Sequence, residues 1–596
     1  MTFTPAPAFI TRPTLTGTFG MSASTHWLAT ASAQAVLERG GNAFDAAVAG
    51  AFVLHVVEPH LNGPGGDMTG LFVTAEDPGT PVVLMGQGPA PAGATIAHMR
   101  SEGLDLVPGA GGLAAAVPGA VDAWLLLLRD HGTLELADVL GYAMGYARDG
   151  HPLLPSAAAT IARVADLFRD HWPSSAALWM PDGTVPVAGT VVRNPAYAAV
   201  LERLITAGGG AEDRVARIDA ARREWRAGVV ARAASQFLAT PHRHSTGTDH
   251  AAVLTPDDFA AFEASYEEAA TASFRGHTIA KTPAWGQGPV LLQALRLLDG
   301  LEDDRLDPST ELGAHTVLEA LKLALADRDA YYGDADVPLD VLLSDAYTDT
   351  RRALLGAEAS REWRPGRIPG RAPFAPPLRS SLDSASGPGT GEPTVAKSGE
   401  TRGDTCHIDV VDRWGNMISA TPSGGWLQSS PTIPELGFCL GTRLQMTWLD
   451  EASPSALRPG SRPRTTLSPT LVLRDGRAVI ALGTPGGDQQ DQWQLPALLR
   501  MLVGGYSPQQ AIDAPMLHTT ALVDSFWPRT YEVAGAVVED RLGEAVIAGL
   551  RARGHSVTRT GDWSLGRLSA VGIDRDSGLL WAAANPRGGQ GYAAGR

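Results

Sequence analysis

With only two cysteines in 596 residues, Cys406 and Cys439, the chain excludes a disulfide framework and a four-thiolate zinc site. No apolar run reaches the roughly 18 residues that a membrane-spanning helix needs. The N-terminus, MTFTPAPAFITRPTLTGTFG, has no basic segment followed by an apolar stretch. That speaks against a secretory signal and makes the cytoplasm the expected compartment. Positive charge is also scarce: 48 Lys and Arg against 64 Asp and Glu leave a net charge of −16. Nucleic-acid binding depends on clustered cations and is not expected, nor is a membrane partner. Local basic patches would instead serve a small anionic substrate.

What is present is an ordinary globular composition, 44% hydrophobic and 19% charged, with a mean hydropathy of −0.04. The length predicts several subdomains or one very large domain. Ala29 to Gly40 and Ala43 to Val56 read as helices broken by Gly40-Gly41-Asn42. Asn62-Gly63-Pro64-Gly65-Gly66 is a second break. Gly119 to Gly150 predicts two helices, and Leu312 to Tyr332 one more. The segment 380–404, SSLDSASGPGTGEPTVAKSGETRGD, is rich in Ser, Gly and Thr and has no apolar period. It reads as a flexible, exposed strap.

Directly after the strap, Thr405-Cys406-His407-Ile408-Asp409-Val410 alternates polar and apolar residues. That is the period of a strand with one buried face, so Thr405, His407 and Asp409 share the polar face. Asp412 to Asn416 is a turn, and Met417 to Thr421 returns as a second strand. A Thr hydroxyl is a poor nucleophile unless a base lies beside it. A chain that begins with Thr supplies that base from its own α-amine, which titrates near 7.7–8.0. An internal Thr405 gains this amine only if the Asp404–Thr405 bond is cut. His407 then has no need to act as base and reads as structural, and Cys406 packs on the apolar side.

Thr-Cys-His followed by Val-Val-Asp and Trp-Gly-Asn resembles the start of the small subunit of γ-glutamyltransferases. The resemblance runs in order through Gly40 to His60, Ala115 to Trp124, Ala147 to Gly150, Leu325 to Val337, Arg462 to Leu473 and Gly483 to Gly487. It implies an α/β (α+β) fold, the four-layer αββα sandwich of the N-terminal nucleophile hydrolases. It implies a large segment 1–404 and a small segment 405–596 from one precursor, with no cofactor and no metal. Thr405 matches the nucleophile, Ser423 a hydroxyl that orients its amine, and Thr421 a supporting Thr. Gly486 and Gly487 match the oxyanion pair, Gln445 a substrate-binding Gln, and Thr465-Thr466 a pair contacting the donor carboxylate.

Three positions depart from the family. Gln87 stands where an Arg grips the donor carboxylate, Trp448 where an Asp holds the donor amine, and Gly425 where an Asn lies. The interval from Gln445 to Arg462 also leaves little room for a lid loop. Three functions are therefore weighed for a small-molecule amide substrate. The first is γ-glutamyl transfer or glutathione hydrolysis; the second is an amidohydrolase of the cephalosporin-acylase or oxamate type, favoured by Gln87 and Trp448. The third, an uncleaved scaffold, is disfavoured by Thr405, Ser423 and the glycine pair. His242 to His250, with three histidines, reads as a solvated loop rather than a metal site. Trp426, Trp448 and Trp493 either line an acyl pocket or fill core.

Overall fold

The computed structural model describes residues 3–380, 405–589 and 591–596. Residues 381–404 of the strap, including Asp404, lie outside the described residues.

Two seven-stranded antiparallel sheets form the centre. One runs in the order Tyr592–Gly595, Gly20–Ser24, Ile408–Asp412, Met417–Ser423, Asp67–Val73, Val82–Gly86, Ser265–Glu268. The other runs Leu15–Gly17, Leu580–Ala584, Ser569–Ile573, Arg477–Gly483, Thr470–Arg474, His277–Lys281, Ala270–Phe274. Both sheets mix strands from either side of residue 404. Four strands carry the site and are labelled β1 (Asp67–Val73), β2 (Ile408–Asp412), β3 (Met417–Ser423) and β4 (Arg477–Gly483).

Helices α1 (Trp27–Glu38) and α2 (Ala43–Val57) cover the outer face of the first sheet. Every residue of α2 is buried; apart from Asp45, Gly50 and His55 it is built of Ala, Val, Leu and Phe, which permits burial on all sides. Its start is set by Asn42, whose side chain accepts from the Phe44 and Asp45 N–H groups while Asp45 caps Asn42 in return. The pair predicted between Gly119 and Gly150 appears as Ala120–His131 and Leu136–Asp149. Against the second sheet pack α3 (Pro289–Leu298) and α4 (Gln490–Leu502). Behind α3 lies α5, here the long helix Glu311–Tyr331 foreseen from its period. This is the four-layer αββα arrangement.

One expectation is corrected. The strand from Thr405 does not have one wet face, because all of Thr405 to Asp412 is buried. Its apolar side meets α2, and its polar side meets the second sheet, so His407 and Asp409 sit between the two sheets. The stretch His242 to His250 is solvated only at its tip, where Thr246 to Asp249 are exposed. It forms a short hairpin in which His244 is buried, accepting from Leu113 N–H through Nε2 while Nδ1 bonds to the His242 carbonyl.

Candidate active site

The site lies where the two sheets face each other at the ends of β2, β3 and β4. Thr405 precedes β2 and forms a single antiparallel bridge with Ser423, the last residue of β3. Their hydroxyl oxygens are 3.2 Å apart and both residues are buried. Asp412 closes the β2–β3 turn by accepting from Trp414, Gly415 and Asn416 N–H, and its other oxygen takes the Ala43 N–H at the start of α2. The hairpin that sets the Thr405–Ser423 register is thereby anchored to the helix layer.

Beyond β3 the chain turns at Gly424 and Gly425 against the Asn62–Gly66 loop. A Cβ on Gly66 would fall 2.1 Å from the Ser423 carbonyl oxygen, so the close backbone stacking that positions Ser423 admits only glycine there.

Behind the hydroxyl pair is a buried polar chain. Thr421 Oγ1 bonds to His407 Nδ1 at 2.9 Å, His407 Nε2 to Asp409 Oδ1 at 2.8 Å, and Ser569 donates to Asp409 Oδ2 at 2.9 Å. Both His407 nitrogens are committed, so His407 holds Thr421 and Asp409 in place between the sheets. On the other side, Cys406 Sγ donates to Glu58 Oε2 at 2.9 Å and accepts from Asn62 Nδ2 at 3.0 Å. Burial and the Glu58 carboxylate hold this thiol well above its usual range. Cys406 thus belongs to the core on the helix side as expected, with two polar partners, Glu58 and Asn62, that the alternation did not reveal.

Gly483, at the end of β4, lies directly on the His407 ring, and the Thr484–Gly487 loop leaves the sheet from there. Gly486 and Gly487 have φ of 138° and 50°. A Cβ on Gly486 would come 2.3 Å from the Trp493 ring, and one on Gly487 3.0 Å from Phe526. Trp493 in turn donates to His518 Nδ1 at 3.3 Å, and burial lowers the His518 pKa to about 3, leaving a neutral acceptor.

The remaining sequence-chosen residues fall into two groups. Gln445 is engaged throughout: its amide donates to the Gly109 carbonyl and Thr442 Oγ1 and accepts from Trp527 N–H. Thr465 Oγ1 accepts from Leu467 N–H, while the buried Thr466 hydroxyl has no partner among the described residues. Gln87 is fully buried beside Asp67, with Oε1 unpartnered among the described residues. Trp448 packs with Phe374, Trp527 and Tyr531. Trp426 packs instead with Met446 and Phe526, and Trp493 belongs to the core under the second sheet. The three tryptophans do not form one cluster.

Sequence reasoning missed a wall of buried charge. Asp67 opens β1 opposite Ser423 in register and pairs with Arg443 at 2.6 Å. Burial raises the Asp67 pKa and Arg443 opposes that rise. The Arg443 guanidinium lies 5.5 Å over Trp426. Arg529 stacks 4.1 Å over Trp448 and donates to the Gln445 and Thr447 carbonyls. Arg464 reaches Ser525 and Asp329, and Arg328 pairs with Asp329 and Asp488. Burial and neighbouring arginines lower Arg529 to about 9 and Arg464 to about 10. Asp524 is pushed up to about 8 by burial and by Asp488. The Arg-Thr-Thr run and the Asp after Gly65-Gly66 were the signals available, but neither names its partner.

Among the described residues one trio could gather a metal: His315, Glu319 and His555, whose ligand atoms lie within 4.8 Å of one another. Glu319 is already ion-paired with Lys322 and Arg364, and His315 bonds to His555 and the Gly356 carbonyl. Among the described residues no helix is long and apolar enough to cross a membrane.

A sandwich of two antiparallel sheets between helix layers, with a hydroxyl residue opening a central strand, is the architecture of the N-terminal nucleophile hydrolases. Residues 29–595 match the gamma-glutamyltranspeptidase family model, and the chain belongs to that family. It is 31% identical to the oxamate amidohydrolase proenzyme of Klebsiella pneumoniae, over 97% of this chain and 98% of that protein. It is 30% identical to the glutathione hydrolase-like YwrD proenzyme of Bacillus subtilis, over 96% and 98%. The solved structure of LmbA2991HD superposes with a TM-score of 0.93 at 52% identity, covering 99% of this chain and 100% of the other. The cephalosporin acylase of Bacillus halodurans gives 0.81 at 26% identity, covering 99% and 98%.

Proposed function

We propose that the chain is a proenzyme that cuts its own Asp404–Thr405 bond and then cleaves an amide through a Thr405 acyl-enzyme. The observation that carries this reading is the Thr405–Ser423 hydroxyl pair, buried at the paired ends of two central strands with the Gly486–Gly487 loop leaving the facing sheet alongside.

In the first stage Thr405 Oγ adds to the Asp404 carbonyl carbon and the bond to the Thr405 nitrogen breaks. This leaves an ester and a free α-amine; water then hydrolyses the ester, and Asp404 ends the large segment as a carboxylate. In the second stage the Thr405 α-amine takes the hydroxyl proton, with the Ser423 hydroxyl orienting the pair. Thr405 Oγ attacks the substrate amide, and the Gly486 and Gly487 N–H groups stabilise the oxyanion, a contribution of about 3 kcal/mol per donor. The proton passes to the leaving amine. Water, or an amine acceptor, then releases the acyl group.

The acyl specificity we assign is of the amidohydrolase or acylase kind. Trp448 lies under Arg529, an arrangement that disfavours a cationic head group. The second reading is γ-glutamyl hydrolysis or transfer, in keeping with the family model and the glutathione hydrolase-like relative. In a direct test, the processed protein is mixed with an acyl p-nitroanilide, quenched in acid and weighed. The account expects the fragment beginning at Thr405 to gain the acyl mass, and no such gain in Thr405→Ala. Turnover with the acyl group on the large fragment would refute it.

A further inference from the structure

Self-cleavage must proceed before the base of the finished enzyme exists. Until the Asp404–Thr405 bond is cut, the Thr405 nitrogen is an amide and cannot take the hydroxyl proton. A Thr hydroxyl needs an acceptor for that proton, and the strand pairing beside Thr405 offers one.

Thr405 bridges to Ser423 at the end of β3, and Ser423 is the register partner of Asp67 at the start of β1. Residues directly opposite each other on antiparallel strands share a face, with Cβ atoms about 4.5–5.5 Å apart. Thr405, Ser423 and Asp67 therefore form one row on the side turned toward the second sheet. The first two hydroxyl oxygens are 3.2 Å apart, and either can be the donor. From Ser423 the next polar group along the row is the Asp67 carboxyl, a separation that one hydrogen bond or one bridging water spans.

Asp67 keeps an open oxygen where its acidic neighbour on this face does not. Its Oδ1 is held by Arg443 at 2.6 Å, while its buried Oδ2 has no partner among the described residues. Gln87 Oε1, beside it, is also unpartnered among the described residues. Buried polar atoms are ordinarily satisfied, so two acceptors left open together call for a donor proton. Asp409, by contrast, has both oxygens taken by His407 and Ser569, and His407 is engaged through both nitrogens. Burial favours the protonated form of Asp67 and Arg443 opposes it; the balance makes this carboxylate more basic than an exposed one.

We propose that Asp67 is the proton acceptor for self-cleavage, working through the Ser423 hydroxyl. As Thr405 Oγ bonds to the Asp404 carbonyl carbon, its proton passes to Ser423 Oγ, and the Ser423 proton passes to Asp67 Oδ2 directly or across one water. When the adduct collapses, the carbon–nitrogen bond breaks and the proton returns along the row to the departing Thr405 nitrogen. The products are the ester, a free α-amine and Asp67 again as a carboxylate. Asp67 touches neither the cleaved bond nor the nucleophile, so its role is to position and hold the proton. The proposal rests on the Thr405 self-cleavage reading and names the base that its first stage requires.

Full-length precursors are made by cell-free synthesis, and the fragment beginning at Thr405 is timed by intact mass. Asp67→Asn keeps the shape and removes the base, so cleavage is expected to slow by about 10²–10⁴-fold. Asp67→Glu restores a carboxylate and should recover part of that rate. Arg443→Gln breaks the same ion pair but keeps the carboxylate, and should cleave far faster than Asp67→Asn. Because Asp67→Asn leaves Arg443 buried and unpaired, Asp67→Asn/Arg443→Gln is made beside it. That double variant differs from Arg443→Gln only in amide against carboxyl, and should be as slow as Asp67→Asn. Once a chain is cut its α-amine serves as base. The kcat per cut chain, read with whichever of γ-glutamyl or glutaryl p-nitroanilide the unaltered protein cleaves faster, should therefore fall much less than the cleavage rate. Cleavage of Asp67→Asn at the unaltered rate, equal slowing in Arg443→Gln, or an equal loss of kcat overturns this proposal alone. An unaltered chain that never releases a Thr405 terminus overturns the reading beneath it.

Discussion

The strand end at Thr405 and the wall at Arg443 are equally buried, but they are assembled in opposite ways. Thr405, Thr421 and Ser423 lie on one hairpin, and the glycine loop follows a single strand of the facing sheet. Asp67 and Arg443 are 376 positions apart in the chain, and Arg529, Arg464 and Arg328 come from three further segments. The hydroxyl hairpin is thus local in sequence, whereas the charged wall is assembled only by folding.

If the hairpin alone supplies the chemistry, the largest effect comes from its first residue. Thr405→Ala is expected to abolish chain cleavage and lower amidase turnover by at least about 10⁴-fold, read by intact mass and p-nitroanilide release. Next is the loop. Gly486→Ala sets a Cβ against Trp493 at a φ that L-residues avoid, and kcat should fall about 10²–10³-fold with the N-terminal cut still measured separately. Third, His407→Leu removes the partner of buried Asp409 and Thr421, costing about 3 kcal/mol or more of stability. A lowered melting temperature checks it; unchanged melting would show that the polar chain between the sheets contributes nothing.

The smallest effect concerns acid. Burial lowers His55, His60 and His518 to about 3, whereas an unfolded His titrates near 6.5. Between these values the unfolded chain binds more protons, so this contribution is intact above pH 6.5 and is lost as pH falls toward 3. His518→Asn keeps an acceptor for Trp493 and should reduce the loss of melting temperature between pH 7 and pH 4.5. An identical loss would show that His518 does not titrate this way.

The helices and the β2–β3 hairpin were legible because their signals are local: the Asn42 cap, the Asp412 turn and the apolar periods all lie within a few residues. The alternation after Thr405 was read in the correct register but with the wrong solvent. Polarity marks which residues share a face, and it does not say whether water or a second sheet covers that face. His407 and Asp409 are polar because they bond to each other and to Thr421 and Ser569 in a dry interface. The charged wall was illegible for a related reason: an Arg in sequence carries no mark of which Asp it meets, and Gln87 and Trp448 revealed only that some pattern had changed.

The most direct test is the intact mass of the purified protein with N-terminal sequencing of its fragments, beside Thr405→Ala. The account predicts two fragments, the smaller beginning Thr-Cys-His-Ile-Asp, and a single uncut chain for the variant. A chain that stays whole after prolonged incubation, or one cut elsewhere with equal efficiency in Thr405→Ala, would contradict it.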